Sequence, residues 1–120
     1  MILKRQQLGN LGEQLANEYV RSLGWHVIAT RFRIQDGEID LIAQANDVLI
    51  FVEVRARTSM EFGNGMESVD ERKVLRMSRV AQAYLHQYNW NGSFRMDVIA
   101  LMLSPQGSLL NLMHVRDITL

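Results

Sequence analysis

The 120-residue sequence predicts an α/β fold, a mixed central β-sheet flanked by helices in the order α-β-β-β-α-β-β. Three observations predict it. Two stretches carry apolar residues at steps of three and four, the spacing of an amphipathic helix. Five others read as strands, bounded by turn residues. The second helical stretch divides those strands three to two, which excludes a plain helix bundle. One proline (Pro105), no low-complexity run and no internal period predict a single domain over residues 1–120.

Leu8, Leu11, Leu15, Tyr19 and Leu23 form the apolar stripe of the first helix, and Gly24 stops it. Asn10 with Glu13 three residues later reads as a capping box, so the regular helix is expected to begin near Leu11. Residues 25–33 alternate and form the first strand; 38–43 and 48–55 follow, joined through the turn-prone Asn46-Asp47. Residues 58–68 are polar, contain Gly63-Asn64-Gly65 and read as a loop. A long helix over 69–88 buries Val74, Met77, Ala81, Tyr84 and Tyr88 on one arc, until Trp90-Asn91-Gly92 breaks it. Residues 94–103 form a strand, Ser104-Pro105-Gln106-Gly107 a turn, and 109–114 the last strand.

Composition removes several classes of function. Without cysteine there is no disulfide scaffold, no Cys-ligated zinc or iron–sulfur centre and no thiol nucleophile. His26, His86 and His114 are widely spaced and do not support zinc catalysis; a Gly-x-Ser-x-Gly elbow and a Walker loop are both missing. Thirteen Lys and Arg balance thirteen Asp and Glu, which argues against wrapping nucleic acid by charge alone. The longest apolar run, 98–103, is far short of the roughly 20 residues that cross a bilayer. Residues 1–10 lack the apolar core of a signal peptide, so a soluble, cytoplasmic protein with no membrane partner is expected.

The hairpin of strands two and three carries the chemistry. A two-residue turn at Asn46-Asp47 sets Ile39 opposite Val54, Leu41 opposite Val52 and Ala43 opposite Ile50, all apolar on one face. On the other face Asp40 opposes Glu53, and Glu38 opposes Arg55. Like charges directly opposed are destabilising. Such a pair is either part of a solvated sheet face or a site for a hard cation, since Mg²⁺ favours one or two carboxylates plus waters and phosphate oxygens. Arg55, two residues after Glu53, points to the same side.

Gly37-Glu38-Ile39-Asp40-Leu41 followed by Phe51-Val52-Glu53-Val54-Arg55 resembles the D…E-x-K signature of restriction-endonuclease-like nucleases. More closely, the chain resembles the YraN-like family, which is similar to archaeal Holliday junction resolvases. Gly9-x-x-Gly12-Glu13, Gly24, Phe62-Gly63, Lys73 and Arg95-x-Asp97 extend the match over most of the chain. The resemblance implies a restriction-endonuclease-like fold and a structure-selective DNA endonuclease that hydrolyses phosphodiester bonds with Mg²⁺ or Mn²⁺. It implies Asp40 and Glu53 as metal-binding carboxylates, with the Val54 carbonyl and Glu13 as further ligands and Glu38 as a supporting group. Glu13 keeps its alternative reading as half of the capping box.

Arg55 stands where the family's usual residue is Lys. It can stabilise developing negative charge but cannot act as a general base. Lys73 is a candidate to compensate, its alternative being a lysine laid along the edge of a packed helix. Arg72, Arg76 and Arg79, separate from Lys73 on the helical wheel, join Arg31, Arg33 and Arg57 as candidate phosphate contacts. Their alternative is a solvated surface paired with Glu67, Asp70 and Glu71. The expected partner is branched or otherwise structured DNA, and two-fold symmetric junctions would suit a homodimer. The second reading is a non-catalytic nucleic-acid-binding module of the same fold. Setting Glu13, Glu38, Asp40 and Glu53 aside as one site leaves nine acids against thirteen bases, a mildly basic remainder.

Overall fold

A computed structural model describes residues 1–58 and 71–118. The element order is α1 (Arg5–Ser22), β1 (His26–Ile34), β2 (Gly37–Ala45), β3 (Val48–Thr58), α2 (Glu71–Gln87), β4 (Ser93–Leu103) and β5 (Leu109–Val115), as the sequence predicts. Thr58, expected to open the loop, ends β3 instead; the rest of the expected loop, with Phe62, Gly63-Asn64-Gly65 and Glu67, and the expected start of the second helix through Asp70 lie outside the described residues. The sheet runs β1-β2-β3-β4-β5. Its neighbours are antiparallel except β3 and β4, which are parallel because the chain crosses over through α2 between them.

The helices cover opposite faces. Alternation along β3 sends Leu49 and Phe51 into the cluster beneath α2, with Val74, Met77, Val80 and Tyr84. Ile50 and Val52 enter the cluster beneath α1, with Ala16, Val20, Ile99 and Leu101. In α2, Val80 and Leu85 are buried while Tyr88 is 58% exposed, contrary to the expected arc. The helix ends at Gln87, and the left-handed Asn89 (φ 56°) turns the chain before Tyr88 can join the face.

α1 also differs from expectation. It begins at Arg5, because the Lys4 N–H donates to Gln7 Oε1 at 2.8 Å and caps the helix well before Asn10. Asn10 and Glu13 therefore lie inside the helix and form no capping box. The buried line of α1 is Gly12, Ala16 and Val20, with the leucine stripe packed beside it. Small residues let the helix approach the sheet: a Cβ on Gly12 would stand 2.7 Å from the Ala56 Cβ of β3.

The β2–β3 register follows the predicted turn: Ala45 pairs with Val48, Ala43 with Ile50 and Leu41 with Val52. Asn46 takes the left-handed conformation (φ 54°) that its short polar side chain tolerates. Beyond Leu41 the predicted pairs of Asp40 with Glu53, Ile39 with Val54 and Glu38 with Arg55 are not ladder pairs. The reason is a slip in alternation. Ile39 and Ile42, three residues apart, both pack beneath α2, as do Ala29 and Phe32 on β1. Leu41 and Ala43 pack beneath α1, so Ile39 does not share their face as the sequence suggests. Alternation breaks at Arg31 (φ 55°) and Asp40, which stand between Thr30–Leu41 and Phe32–Ile39 in an unchanged register; the β1–β2 register shift itself falls between Val27 and Ala29.

The Gly12–Ala56 approach predicts that Gly12→Ala lowers stability, although alanine favours a helix by roughly 0.5–1 kcal/mol. The added methyl must displace backbone, an overpacking cost of about 1–3 kcal/mol. Urea denaturation should show an earlier midpoint with an unchanged slope; a later midpoint would contradict this packing.

Candidate functional site

Where β2 leaves β3, a side chain replaces a ladder partner. The Val54 N–H donates to Asp40 Oδ2 at 2.7 Å. In a strand the N–H and C=O of one residue point to the same side, so the Val54 carbonyl also faces the gap. β3 runs on to Thr58 paired with β4, and in its outer half Arg57 Nη1 donates to the Ala56 carbonyl at 3.0 Å. The sheet thus opens into a cleft whose wall is the outer half of β3.

Asp40 and Glu53 meet at this opening. Burial first, then the negative charge of Glu53 beside it, pushes the Asp40 carboxyl up to about 8 from an ordinary 3.8, against the Val54 N–H, which favours the charged form. A side-chain hydrogen bond to Glu53 adds to the rise, and Glu13 acts more weakly through its charge. Asp40 therefore keeps its proton at neutral pH. On the α2 side a cavity of ≈ 350 Å³ gathers Glu38, Glu53, Arg55, Lys73 and Arg76. Arg76 therefore shares a wall with Lys73, where the helical wheel had set them apart. Among the described residues Arg55 Nε is buried without a hydrogen-bond partner.

Glu13 is near this pair but engaged elsewhere. Arg31 Nε donates to Glu13 Oε1 at 2.9 Å, and Arg31 Nη2 donates to Asn10 Oδ1 at 2.8 Å. The hydrogen bond and charge of Glu13 raise the Arg31 pKa further. Among the described residues, no three carboxylate or imidazole groups gather closely enough to ligate one ion. The structure brings Asp40, Glu53 and the Val54 backbone together, with Arg55 and Lys73 beside Glu53, and leaves Glu13 to Arg31.

The remaining arginines surround the cleft in exposed pairs. Arg33 Nη2 lies 3.1 Å from Glu38 Oε2, and Arg79 Nε lies 3.9 Å from Asp36 Oδ2. Asp36, in the β1–β2 turn, is the acid that Arg79 meets among the described residues; Glu67 and Asp70 lie outside them. Arg72 is exposed on α2, and Arg57 sits on the other side of the cleft, at the outer end of β3. Exposed pairs of this kind are worth about 0–1 kcal/mol, so a phosphate can displace the acid.

The family model described as uncharacterised protein family UPF0102 matches residues 12–101. The chain belongs to the UPF0102 family. A UPF0102 protein of Dictyoglomus turgidum is 36% identical over 110 residues, covering 91% of this chain and 93% of its own. Another, from Pelotomaculum thermopropionicum, is 39% identical over 114 residues, with 94% and 95% covered. A third, from Herpetosiphon aurantiacus, is 42% identical over 105 residues, with 83% and 85% covered. This is the YraN-like family of the sequence resemblance. The span of the UPF0102 model contains Glu13, Asp40, Glu53, Arg55 and Lys73. No helix among the described residues is long and apolar enough to cross a membrane.

The UPF0102 chain also holds a polar network that sequence reasoning missed. Asp97 on β4 is wholly buried and accepts from Arg95 Nε (3.0 Å), His114 Nε2 (2.8 Å) and the Asp117 N–H (3.0 Å). His114 Nδ1 lies 3.0 Å from the Tyr19 hydroxyl. Trp25 packs edge-on against His114, and Arg95 lies over the Trp25 ring. The only signal in the sequence was Arg95-x-Asp97, a spacing that puts both side chains on one face of a strand.

Two predictions follow from these geometries. The native state keeps a proton on Asp40 between about pH 4 and 8 that the unfolded chain releases, so stability falls as pH rises through that window. Asp40→Asn should flatten that slope and gain roughly 1–3 kcal/mol over the wild type at pH 8.5 in EDTA, read by thermal denaturation. A slope identical in both proteins would refute the retained Asp40 proton. Asp97→Ala strands the Arg95 charge and the His114 donor, and should cost about 3–5 kcal/mol in urea unfolding; a loss under 1 kcal/mol would mean that the network is not structural.

Proposed function

We propose that this chain is a divalent-metal-dependent, structure-selective DNA endonuclease with a restriction-endonuclease-like fold. The observation that carries the reading is the opening of β2 from β3, which sets Asp40 against Glu53 with the Val54 backbone facing the same gap. The donor set fits Mg²⁺ or Mn²⁺: two carboxylates and a carbonyl are hard oxygen ligands, and such ions leave their other positions to water and phosphate. The proton that Asp40 retains marks the place where a cation would relieve its repulsion from Glu53. Asp40, Glu53 and the Val54 carbonyl would hold the ion, and Glu13 would join only after leaving Arg31. When bound, such an ion activates water and neutralises charge on the phosphoryl oxygens.

The chain's own residues supply the rest. Arg55, with its Nε unpartnered and buried, offers a fixed donor to a phosphoryl oxygen, where a charge-assisted hydrogen bond strengthens as negative charge develops. Lys73 and Arg76 share its cavity and add positive potential. Arg31, Arg33, Arg79 and Arg57 exchange their present partners for flanking phosphates. The Val54–Asp40 hydrogen bond orients the Asp40 carboxylate before any ligand arrives.

The second reading, a nucleic-acid-binding module without turnover, draws on two observations: Arg55 cannot take up a proton from water, and Glu13 is bonded to Arg31.

Purified protein with Mg²⁺ or Mn²⁺ is expected to nick flapped or four-way DNA, with Asp40→Ala and Glu53→Ala each abolishing the cutting and Arg55→Lys retaining it. Mn²⁺ at pH 8 should also raise the melting temperature of the wild type but not of Asp40→Ala, because only a bound ion stabilises by mass action. Cutting that survives both carboxylate substitutions would sink the nuclease reading. Salt-sensitive binding of branched DNA without cutting in either metal would establish the module instead.

A further inference from the structure

A groove of ≈ 500 Å³ lies on the opposite side of β3, between its outer half and the first turns of α1. Arg5 and Arg57 stand on its walls, Leu8 and Ala56 give it apolar surface, and it reaches the carboxylate site through Val54. The acid on its wall, Glu13, is bonded to Arg31. Gly9 also lines it. Glycine inside a helix costs roughly 0.5–1 kcal/mol relative to alanine. At Gly12 that cost is explained by Ala56, but a Cβ on Gly9 would meet nothing within 4 Å. Packing does not ask for glycine there.

We propose that this groove is a subsite for one unpaired nucleotide of a DNA strand running to the Asp40–Glu53 site, an inference that rests on the nuclease reading. Arg5 and Arg57 hold its phosphate, and its sugar and base lie against Leu8 and Ala56. The volume falls in the roughly 300–1,000 Å³ range of small-ligand pockets, which takes a splayed nucleotide and no duplex. The missing side chain at Gly9 leaves the backbone of α1 open to close approach. The substrate class is then DNA with a frayed or single-stranded arm beside the scissile bond, and selectivity for structure comes from the need to unpair a base before it fits.

The test is fluorescence anisotropy in EDTA at low salt, with the full-length protein, a fluorescein-labelled oligothymidylate and a blunt duplex of equal length. Gly9→Trp starts from a Cβ in open space, sets its ring in the groove and is expected to weaken oligothymidylate binding at least about tenfold, a loss of roughly 1.4 kcal/mol, while duplex binding changes little. Gly9→Ala should raise the melting temperature. Arg5→Glu, at an exposed position, should weaken oligothymidylate binding similarly and serves if Gly9→Trp does not fold. A folded Gly9→Trp with wild-type affinity overturns the subsite, as does a wild type that fails to bind oligothymidylate or an equal loss for duplex. The two proposals fail separately. Groove-dependent binding by a protein that cuts nothing removes the nuclease and keeps the subsite, whereas cutting that Gly9→Trp does not slow does the reverse.

Discussion

The hydrogen bond from the Val54 amide to the Asp40 carboxylate is the constraint on which the site depends. A strand cannot leave a sheet and strand a buried N–H without cost. Asp40 removes that cost by offering a side-chain oxygen at 2.7 Å where a β2 carbonyl would otherwise stand. β3 can then continue as a wall with a cavity on each face, Glu53 and Arg55 toward α2, Val54 and Ala56 toward α1. The same carboxylate is driven against Glu53, so the local geometry stores an electrostatic conflict that a proton or a cation resolves.

α1 fixes the other side of the opening. Its approach through Gly12 brings Asn10 and Glu13 over β1, where they grip Arg31. Arg31 sits in the left-handed region, which costs a non-glycine residue of order 1–3 kcal/mol. Its contacts to α1 and its place at the alternation slip offset that strain. Helix docking, the slip and the disposition of Glu13 are therefore one coupled arrangement.

The elements were legible because their signals are local. Apolar periodicity located both helices, Asn46-Asp47 fixed the hairpin register as far as Leu41 and Val52, and strand ends differed by a few residues. The meeting of Asp40 with Glu53 was also legible, since the register that pairs Leu41 with Val52 aims them together. Their environment was not. A break in alternation leaves no periodic trace, so the sequence pattern places Ile39 on the wrong face. The capping pattern Asn10…Glu13 was present in the letters, but Gln7 capped the helix first and released both side chains to Arg31. Partners such as His114 for Asp97 and Tyr19 for His114 are joined by tertiary contact alone, and no spacing announces them.

The Asp97 network also orders events in time. Tyr19 belongs to the first helix and His114 to the last strand, so their contact closes nearly the whole chain. Loop-closure entropy makes such contacts late, whereas the β2–β3 hairpin needs only its own turn. On the ribosome, where domains emerge from the N-terminus forward, α1 and the hairpin precede β4, and the charge of Asp97 has no complete set of partners until His114 and Asp117 follow. Full pairing of that carboxylate therefore depends on β5 and the residue that follows it, so the two ends of the sheet's chain are tied through one buried group.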